Sequence, residues 1–378
     1  MPEMGEETIS RDKYRYAAYG MIYLAACALD GRKPSPEKLA KTDLDELYRV
    51  CSRHRTAGLV SFALAAAGIN DSRFINAQAN TVNSAILFQI EREAILAEME
   101  KQGIWYMPLK GILLKDYYPK LGMREMCDND ILFDRSRAAD LREIMISRGY
   151  NVIHYDCGHD DCYQKPPIFN FEMHFMLFND GLSGFEKYYE NVRERLVRDE
   201  GSSYGCRFTN EDFYLYLLAH EYKHFSGGGI GLRALIDTYV FLKKFGSTLD
   251  REYIAREAEK LGLTEFERNN RELAMTLFSF GTPDGAQKQL LDYYIFSGVY
   301  GNIGNRVRNS VRKSSRLGYI KERLFLSQES IRSSYPFFYR HKLLQPVLFV
   351  YRIGRALTVS RKTSFSEVRA LRRIGKDE

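Results

Sequence analysis

Residues 127–133, Cys-Asp-Asn-Asp-Ile-Leu-Phe, alternate polar and apolar side chains in the manner of a half-buried strand. Side chains of a strand point to its two faces in turn, so Asp128 and Asp130 share one face while Cys127, Asn129 and Ile131 share the other. Two like charges held side by side cost energy unless a cation lies between them, and an oxygen-rich pair of this kind suits Mg²⁺. A later segment, residues 168–177, reads as the longest strand in the chain. It places Asn170, Glu172 and His174 on one face against Phe169, Phe171, Met173 and Phe175. If the two strands are neighbours, Glu172 brings a third carboxylate to the pair.

Two further constellations compete with this one. His220-Glu221-Tyr222-Lys223-His224 satisfies H-E-x-x-H, in which two histidines one helical turn apart bind zinc and the glutamate activates water. Lys223 puts a charge at a middle position that zinc peptidases usually keep uncharged. In the longer form of that motif Gly227 is in place, but Ile230 stands where the third histidine belongs, leaving Asp237 or Glu252 as the third ligand. His154, Cys157, His159 and Cys162 offer a two-Cys, two-His zinc set, but spacings of three, two and three are tight for one tetrahedral ion. A turn through Gly158 and Asp160-Asp161 is the expected account. His54 and His341 read as surface or helix-packing histidines, and Arg233 with Asp237 as an i,i+4 helix pair.

The elements that carry these residues follow from periodicity. Residues 11–100 keep a helical spacing, with Ser35-Pro36-Glu37 as a cap-like start and Leu44, Leu47, Val50 and Cys51 on one face. At Gly103 the period changes. Residues 104–109 form a short apolar strand ending at Lys110-Gly111, and 112–118 read as a helix. A helix over 138–148 closes at Gly149, and a strand follows over 150–155. Helical spacing returns over 211–225 and 232–245, interrupted by Ser226-Gly227-Gly228-Gly229. The expected fold class is α+β: a small mixed sheet (101–180) flanked by a helical N-terminal region (1–100), a helical domain (181–300) and a basic helical C-terminal region (301–378).

Composition agrees with a folded chain of two or three domains: 378 residues, 45% hydrophobic and 28% charged. Residues 301–378 hold 18 Lys and Arg against 5 Asp and Glu, whereas 1–300 hold 37 against 44. The basic end suits nucleic acid, a membrane surface or another acidic partner, or is a solvated helix face ending at Arg369, Arg372, Arg373 and Lys376. Six cysteines in this length make no disulfide framework, so a reducing cytoplasm is the expected location. Leu24-Ala25-Ala26-Cys27 mimics a lipoprotein box. Yet Glu3, Glu6, Glu7 and Asp12 make the leader acidic, and Tyr14, Ala17, Ala18, Met21, Leu24, Ala25 and Ala28 fall at helical spacing. No segment reaches the roughly 20 apolar residues of a membrane span; the nearest, 343–359, is broken by Arg352 and Arg355.

Taken in order, Leu109-Lys110-Gly111, Arg124 before Asp128-Asn129-Asp130, Glu172-Met173-His174, and a downstream segment with His220, His224, Arg233 and Asp237 resemble one family. It is that of the uncharacterised bacterial nucleotidyltransferases of the DNA polymerase beta type. The resemblance covers residues 104–245, and the helical leader with His54-Arg55 more loosely. It implies nucleotidyl transfer, with Asp128 and Asp130 holding Mg²⁺ or Mn²⁺ on the triphosphate and Glu172 binding a second metal and activating the acceptor hydroxyl. It further implies Lys110, Gly111, Arg124, His174, His220, His224, Arg233 and Asp237 as nucleotide- or acceptor-contacting residues. The wider superfamily follows the turn glycine with a serine that holds triphosphate; here Ile112 stands there, which passes that role to Lys110 and the N–H groups after Gly111. A nucleoside triphosphate is the implied co-substrate, and the acceptor is a small molecule, a protein or an RNA end. A non-catalytic nucleotidyltransferase-like binding protein and a zinc peptidase using 220–224 are the alternatives.

Overall fold

The computed structural model describes residues 10–178, 184–299, 301–326, 328, 330, 331, 335–358 and 361–374. Glu3, Glu6, Glu7 and Lys376 lie outside the described residues. The chain folds as two units. One takes the residues up to Glu221 together with Leu232–Ile295, and the other takes Tyr222–Gly231 and the chain from Phe296 onward.

The first unit begins with helices. Helix α1 (Arg11–Asp30) buries the seven positions whose spacing marks one face, and Cys27 with them. It ends at Gly31, whose φ of 67° suits glycine and lets the Arg32 N–H reach the Cys27 carbonyl at 2.9 Å. Helix α2 (Pro36–Ala40) opens on its proline, as Ser35-Pro36 indicates. Asp43 caps α3 (Leu44–His54) by accepting the N–H of Asp45 at 3.0 Å and of Glu46 at 3.2 Å. Helices α4 (Ala57–Ala66) and α5 (Ser72–Lys101) complete the bundle.

Five strands follow: β1 (Tyr106–Pro108), β2 (Asn129–Phe133), β3 (Asn151–Cys157), β4 (Asp160–Lys165) and β5 (Phe169–His174), in the order β1-β2-β5-β4-β3. Strands β2 and β5 are parallel and the other pairs antiparallel, so the Asp strand and the Glu172 strand are neighbours. One face is apolar. Ile131, Phe133, Tyr163, Phe171 and Met173 pack against Phe88, Ile95 and Met99 of α5 and against Leu141, Ile144 and Met145 of α7 (Ala138–Ser147). Each such side chain contributes about 1.5–3 kcal/mol by burial. The other face carries Asp130, Glu172, His174, Asp160 and Cys162.

Three readings change. The longest strand is β3, of seven residues, because β5 stops at His174, where the N–H groups of Phe175 and Met176 turn to the His159 carbonyl at 3.0 and 3.4 Å. The helix expected over 112–118 is one turn, α6 (Gly111–Leu114), running into a 3₁₀ turn; Tyr118 precedes Pro119 and is extended. A small ribbon, β6 (Val197–Arg198) with β7 (Cys206–Arg207), follows the short helix α8 (Phe185–Tyr188). It lacks a period long enough to read. The Glu100 carboxylate holds the neighbouring turn, accepting the N–H of Tyr204 at 3.2 Å and of Gly205 at 3.0 Å.

Helices α9 (Asn210–Ser226), α10 (Leu232–Phe245), α11 (Arg251–Lys260), α12 (Thr264–Phe278) and α13 (Gly285–Ser297) follow. In the second unit the glycine run acquires a purpose. Gly228 accepts from the Asn302 N–H at 2.8 Å, and a Cβ on Gly301 would lie 2.4 Å from the Gly228 oxygen. Helix α14 (Ile303–Leu324), bent at Ser315, is followed by α15 (Pro336–Arg340), α16 (Gln345–Leu357) and α17 (Arg361–Ile374).

His54 is fully buried at the end of α3. Its Nδ1 accepts the Leu232 N–H at 3.1 Å, which leaves Nε2–H to donate to the Ile295 carbonyl at 3.1 Å. Burial, with Arg53 close by, lowers its pKa from 6.5 to about 3. The unfolded chain therefore takes up a proton below about pH 6.5 that the folded chain refuses. Stability from this group is complete above that pH and falls by about 1.4 kcal/mol per pH unit as the solution is acidified towards pH 3. Comparing the pH dependence of urea unfolding for wild type and His54→Asn checks this: the difference between them should shrink steadily from pH 6.5 to 4.

Candidate active site

In the parallel register Asp130 stands opposite Glu172, and both lie on the polar face of the sheet. The Asp130 Oδ1 is 3.1 Å from His174 Nε2, and its Oδ2 is 3.3 Å from Lys110 Nζ. Glu172 Oε2 is 3.9 Å from the same His174 nitrogen. One ligand atom from each of Asp130, Glu172 and His174 lies within 4.8 Å of the others. Asp128 immediately precedes β2, which begins at Asn129, where the buried Arg92 donates to Oδ1 at 2.9 Å. Asp128 stands outside the 4.8 Å group but acts on it through its charge.

The backbone brings Lys110 here at a cost. Its φ of 43° is in the left-handed region, which disfavours a side chain by roughly 1–3 kcal/mol. The next backbone link, Leu109 N–H to the Asp130 carbonyl at 2.9 Å, joins the turn to β2. Burial raises the Asp130 carboxyl, but the Lys110 ammonium and His174 outweigh it and hold the group well below the usual range. Burial opposes the Lys110 charge, yet Asp130 leads the groups that raise its pKa overall. Glu172 is less well served, with His174 Nε2 3.9 Å away and the Lys110 charge offsetting only part of its rise. Burial first, then the charges of Asp130 and Asp128, push it from 4.5 to about 7. Asp128 is raised by burial and by Asp130. Two facing carboxylates, one of them raised to about 7 by burial and then by its acidic neighbours, form an oxygen-rich set that a divalent cation would relieve.

Tyr216 and His220, one turn apart on α9, reach this face. Tyr216 is buried where Lys110 and Asp130 act on its hydroxyl, and His220 favours the ionised Asp130. Tyr216 is absent from the residues that the sequence singles out. Its one signal is the i,i+4 spacing to His220, which also describes ordinary core packing. His224, the next turn, belongs to the second unit.

Arg124 and Asp237 have a different occupation. Arg124 Nε donates to Asp237 Oδ1 at 2.8 Å and Nη2 to Oδ2 at 2.9 Å, and the Tyr118 hydroxyl donates to the same carboxylate at 2.7 Å. All three residues are buried, so this clamp fastens the 118–124 loop to α10. Asp237 is thereby taken from the helix pair expected with Arg233. Arg233 Nη1 instead donates to the Glu125 carbonyl at 3.4 Å, and its charge favours ionised Asp128. Gly111 is needed for close approach, since a Cβ there would lie 2.6 Å from Arg124 Nη1. Ile112 is packed in the core.

Members of the remaining motifs have other partners. Glu221 is buried and raised well above its ordinary pKa by burial. Asn270 donates to it at 2.9 Å, and Thr238 lies 3.3 Å away. A carboxyl kept neutral inside a helical core is poorly suited to activating water beside His220 and His224. Cys162 faces Asn170, at 3.5 Å, while His154 and His159 flank Asp160 at 3.0 and 3.3 Å around the β3–β4 turn. Among the described residues, the groups able to hold a metal are Asp130 with Glu172 and His174, and His159 with Asp160 and His174.

Residues 40–279 match the family described as "Uncharacterised nucleotidyltransferase". The chain belongs to that family. The matched span runs from the end of α2 past α12 and so contains the whole centre around Asp130. No curated protein matches this nucleotidyltransferase-family chain. Among solved structures it is similar to the crystal structure of an antigenic nucleotidyltransferase-like protein from Paracoccidioides brasiliensis. That similarity has a TM-score of 0.31 and 10% identity, over 56% of this chain and 96% of that one.

The two kinds of acid separate on mutation. Asp237→Asn strands the buried Arg124 charge and should cost about 3–5 kcal/mol in urea unfolding. Cation binding should reveal Glu172: its proton must leave, so apparent Mn²⁺ affinity by calorimetry should rise about tenfold per pH unit up to about pH 7 and level off above it. Glu172→Gln should flatten that profile.

Proposed function

We propose that this chain transfers a nucleoside monophosphate from a nucleoside triphosphate to a hydroxyl acceptor in a reaction dependent on Mg²⁺ or Mn²⁺. The observation that carries the reading is the facing pair of Asp130 and Glu172, one firmly ionised and the other held near pH 7, bordered by Lys110. Asp130 and Glu172 are the oxygen donors that would hold the cation, with Asp128 just outside their group as a third acid, and the cation when bound supplies positive charge to the triphosphate. Lys110 and Arg233 place further positive charge beside it. Because Ile112 is in the core and α6 is a single turn, phosphate binding falls to these side chains. Glu172, whose side chain is 35% exposed, takes the acceptor's proton as the oxygen attacks the α-phosphorus. The new O–P bond forms in line with the breaking α–β bridge, and pyrophosphate leaves.

Asp128→Asn is the informative variant. It removes an acid that Asp130 repels, so stability should hold or rise, whereas transfer should fall by two or more orders of magnitude. Asp130→Asn is less clean, because it also strands Lys110. The test incubates the protein with Mg²⁺ and triphosphates labelled on the α-phosphate, using small-molecule, protein and RNA fractions as acceptors. Label should enter an acceptor with wild type and not with Asp128→Asn. Mg²⁺-dependent thermal stabilisation by triphosphate without any transfer would favour a binding protein. Stoichiometric zinc lost on His220→Ala would favour the peptidase.

A further inference from the structure

Among the described residues of the second unit, several apolar side chains stay exposed on one helix. Leu343 is 95% exposed, and Val347, Val350 and Tyr351 are 55, 68 and 51% exposed. Steps of three and four residues put them on one side of α16 and of the turn leading into it, whereas Leu348 faces inward and is buried. Helix α17 adds Val368, which is 46% exposed. Exposed apolar side chains repeated along one side of a helix mark a contact site.

Charge identifies the partner. From Ser330 to Ser366 every charged residue is cationic, since no acidic residue lies between Glu329 and Glu367. Arg340 and Lys342 precede the stripe in the chain and Arg355 follows it, all three exposed, and Arg369 and Arg372 are exposed on α17 after Val368. A recess of about 450 Å³ lined in part by Arg323, Arg352, Arg355 and Glu367 opens in the same unit, and Arg323 is paired with Glu367 there. A nucleic acid offers phosphates to the cations but no apolar medium to Leu343, Val347 and Val350. An anionic bilayer interface offers both, and it accommodates a helix lying in its plane. No described helix is long and apolar enough to cross a membrane.

We propose that the second unit docks on an anionic phospholipid surface, with Leu343, Val347, Val350 and Tyr351 at the acyl boundary and Arg340, Lys342 and Arg355 at the phosphates. The test floats the full chain with vesicles of phosphatidylcholine containing roughly one third phosphatidylglycerol, and with vesicles of phosphatidylcholine alone. The protein should rise with the first and not the second, and salt should weaken the association. Val347→Glu with Val350→Glu, and separately Lys342→Gln with Arg355→Gln, should each reduce partitioning by about tenfold or more. All four positions are exposed, and an unchanged thermal transition confirms that the variants fold. Equal partitioning of wild type onto both vesicles overturns the proposal. So does an apolar variant that still floats, or an RNA that binds wild type and the apolar variant alike while no vesicle binds. A dimer seen by light scattering that the glutamates dissociate, without vesicle binding, would assign the stripe to a second copy and also overturn it.

Discussion

Asp130 and Glu172 face each other across a parallel strand pair, and the cost of burying two neighbouring carboxylates is the constraint on which the site depends. Lys110 and His174 satisfy Asp130, which stays ionised; Glu172 is left to carry the strain as a raised pKa. The left-handed Lys110 backbone, the hydrogen bond from Leu109 to the Asp130 carbonyl and the apolar packing beneath β2 and β5 all serve to keep this pair together. An arrangement that stores like-charge repulsion is costly to an inert protein. It suits one that meets a cation.

A second set of buried charges does the opposite work. Arg124, Asp237 and Tyr118 satisfy one another fully, so they transmit rigidity rather than reactivity. Glu221 is similar in kind: it is buried in a helical core, which raises it well above its ordinary pKa, and Asn270 donates to it. The difference between the two sets is the number of partners each charge has, which is a property of packing and not of residue type.

That difference sets what the sequence reveals. Period-two alternation around Asp130 and Glu172 exposes their shared face, because the apolar partners Ile131, Phe171 and Met173 must point the other way. That β2 and β5 are neighbours is less legible, because β3 and β4 lie between them in the chain and only the crossover of the sheet brings them together. The roles of Arg124 and Asp237 are not: 113 residues separate them, and nothing local distinguishes a clamp from a phosphate ligand. Tyr216 is invisible for the same reason. The ends of β5 and of the 112–118 helix escape the pattern because a carbonyl in one case and a proline in the other, rather than side-chain alternation, decides where they stop.

The central claim is that the facing carboxylates form a cation centre for a nucleotide. Its most direct test is anomalous scattering from Mn²⁺ in crystals grown with a non-hydrolysable nucleoside triphosphate. The account predicts a peak between Asp130 and Glu172, with the triphosphate extending towards Lys110 and Arg233. A peak at His220 and His224, or nucleotide bound elsewhere with no manganese at Asp130, would contradict it.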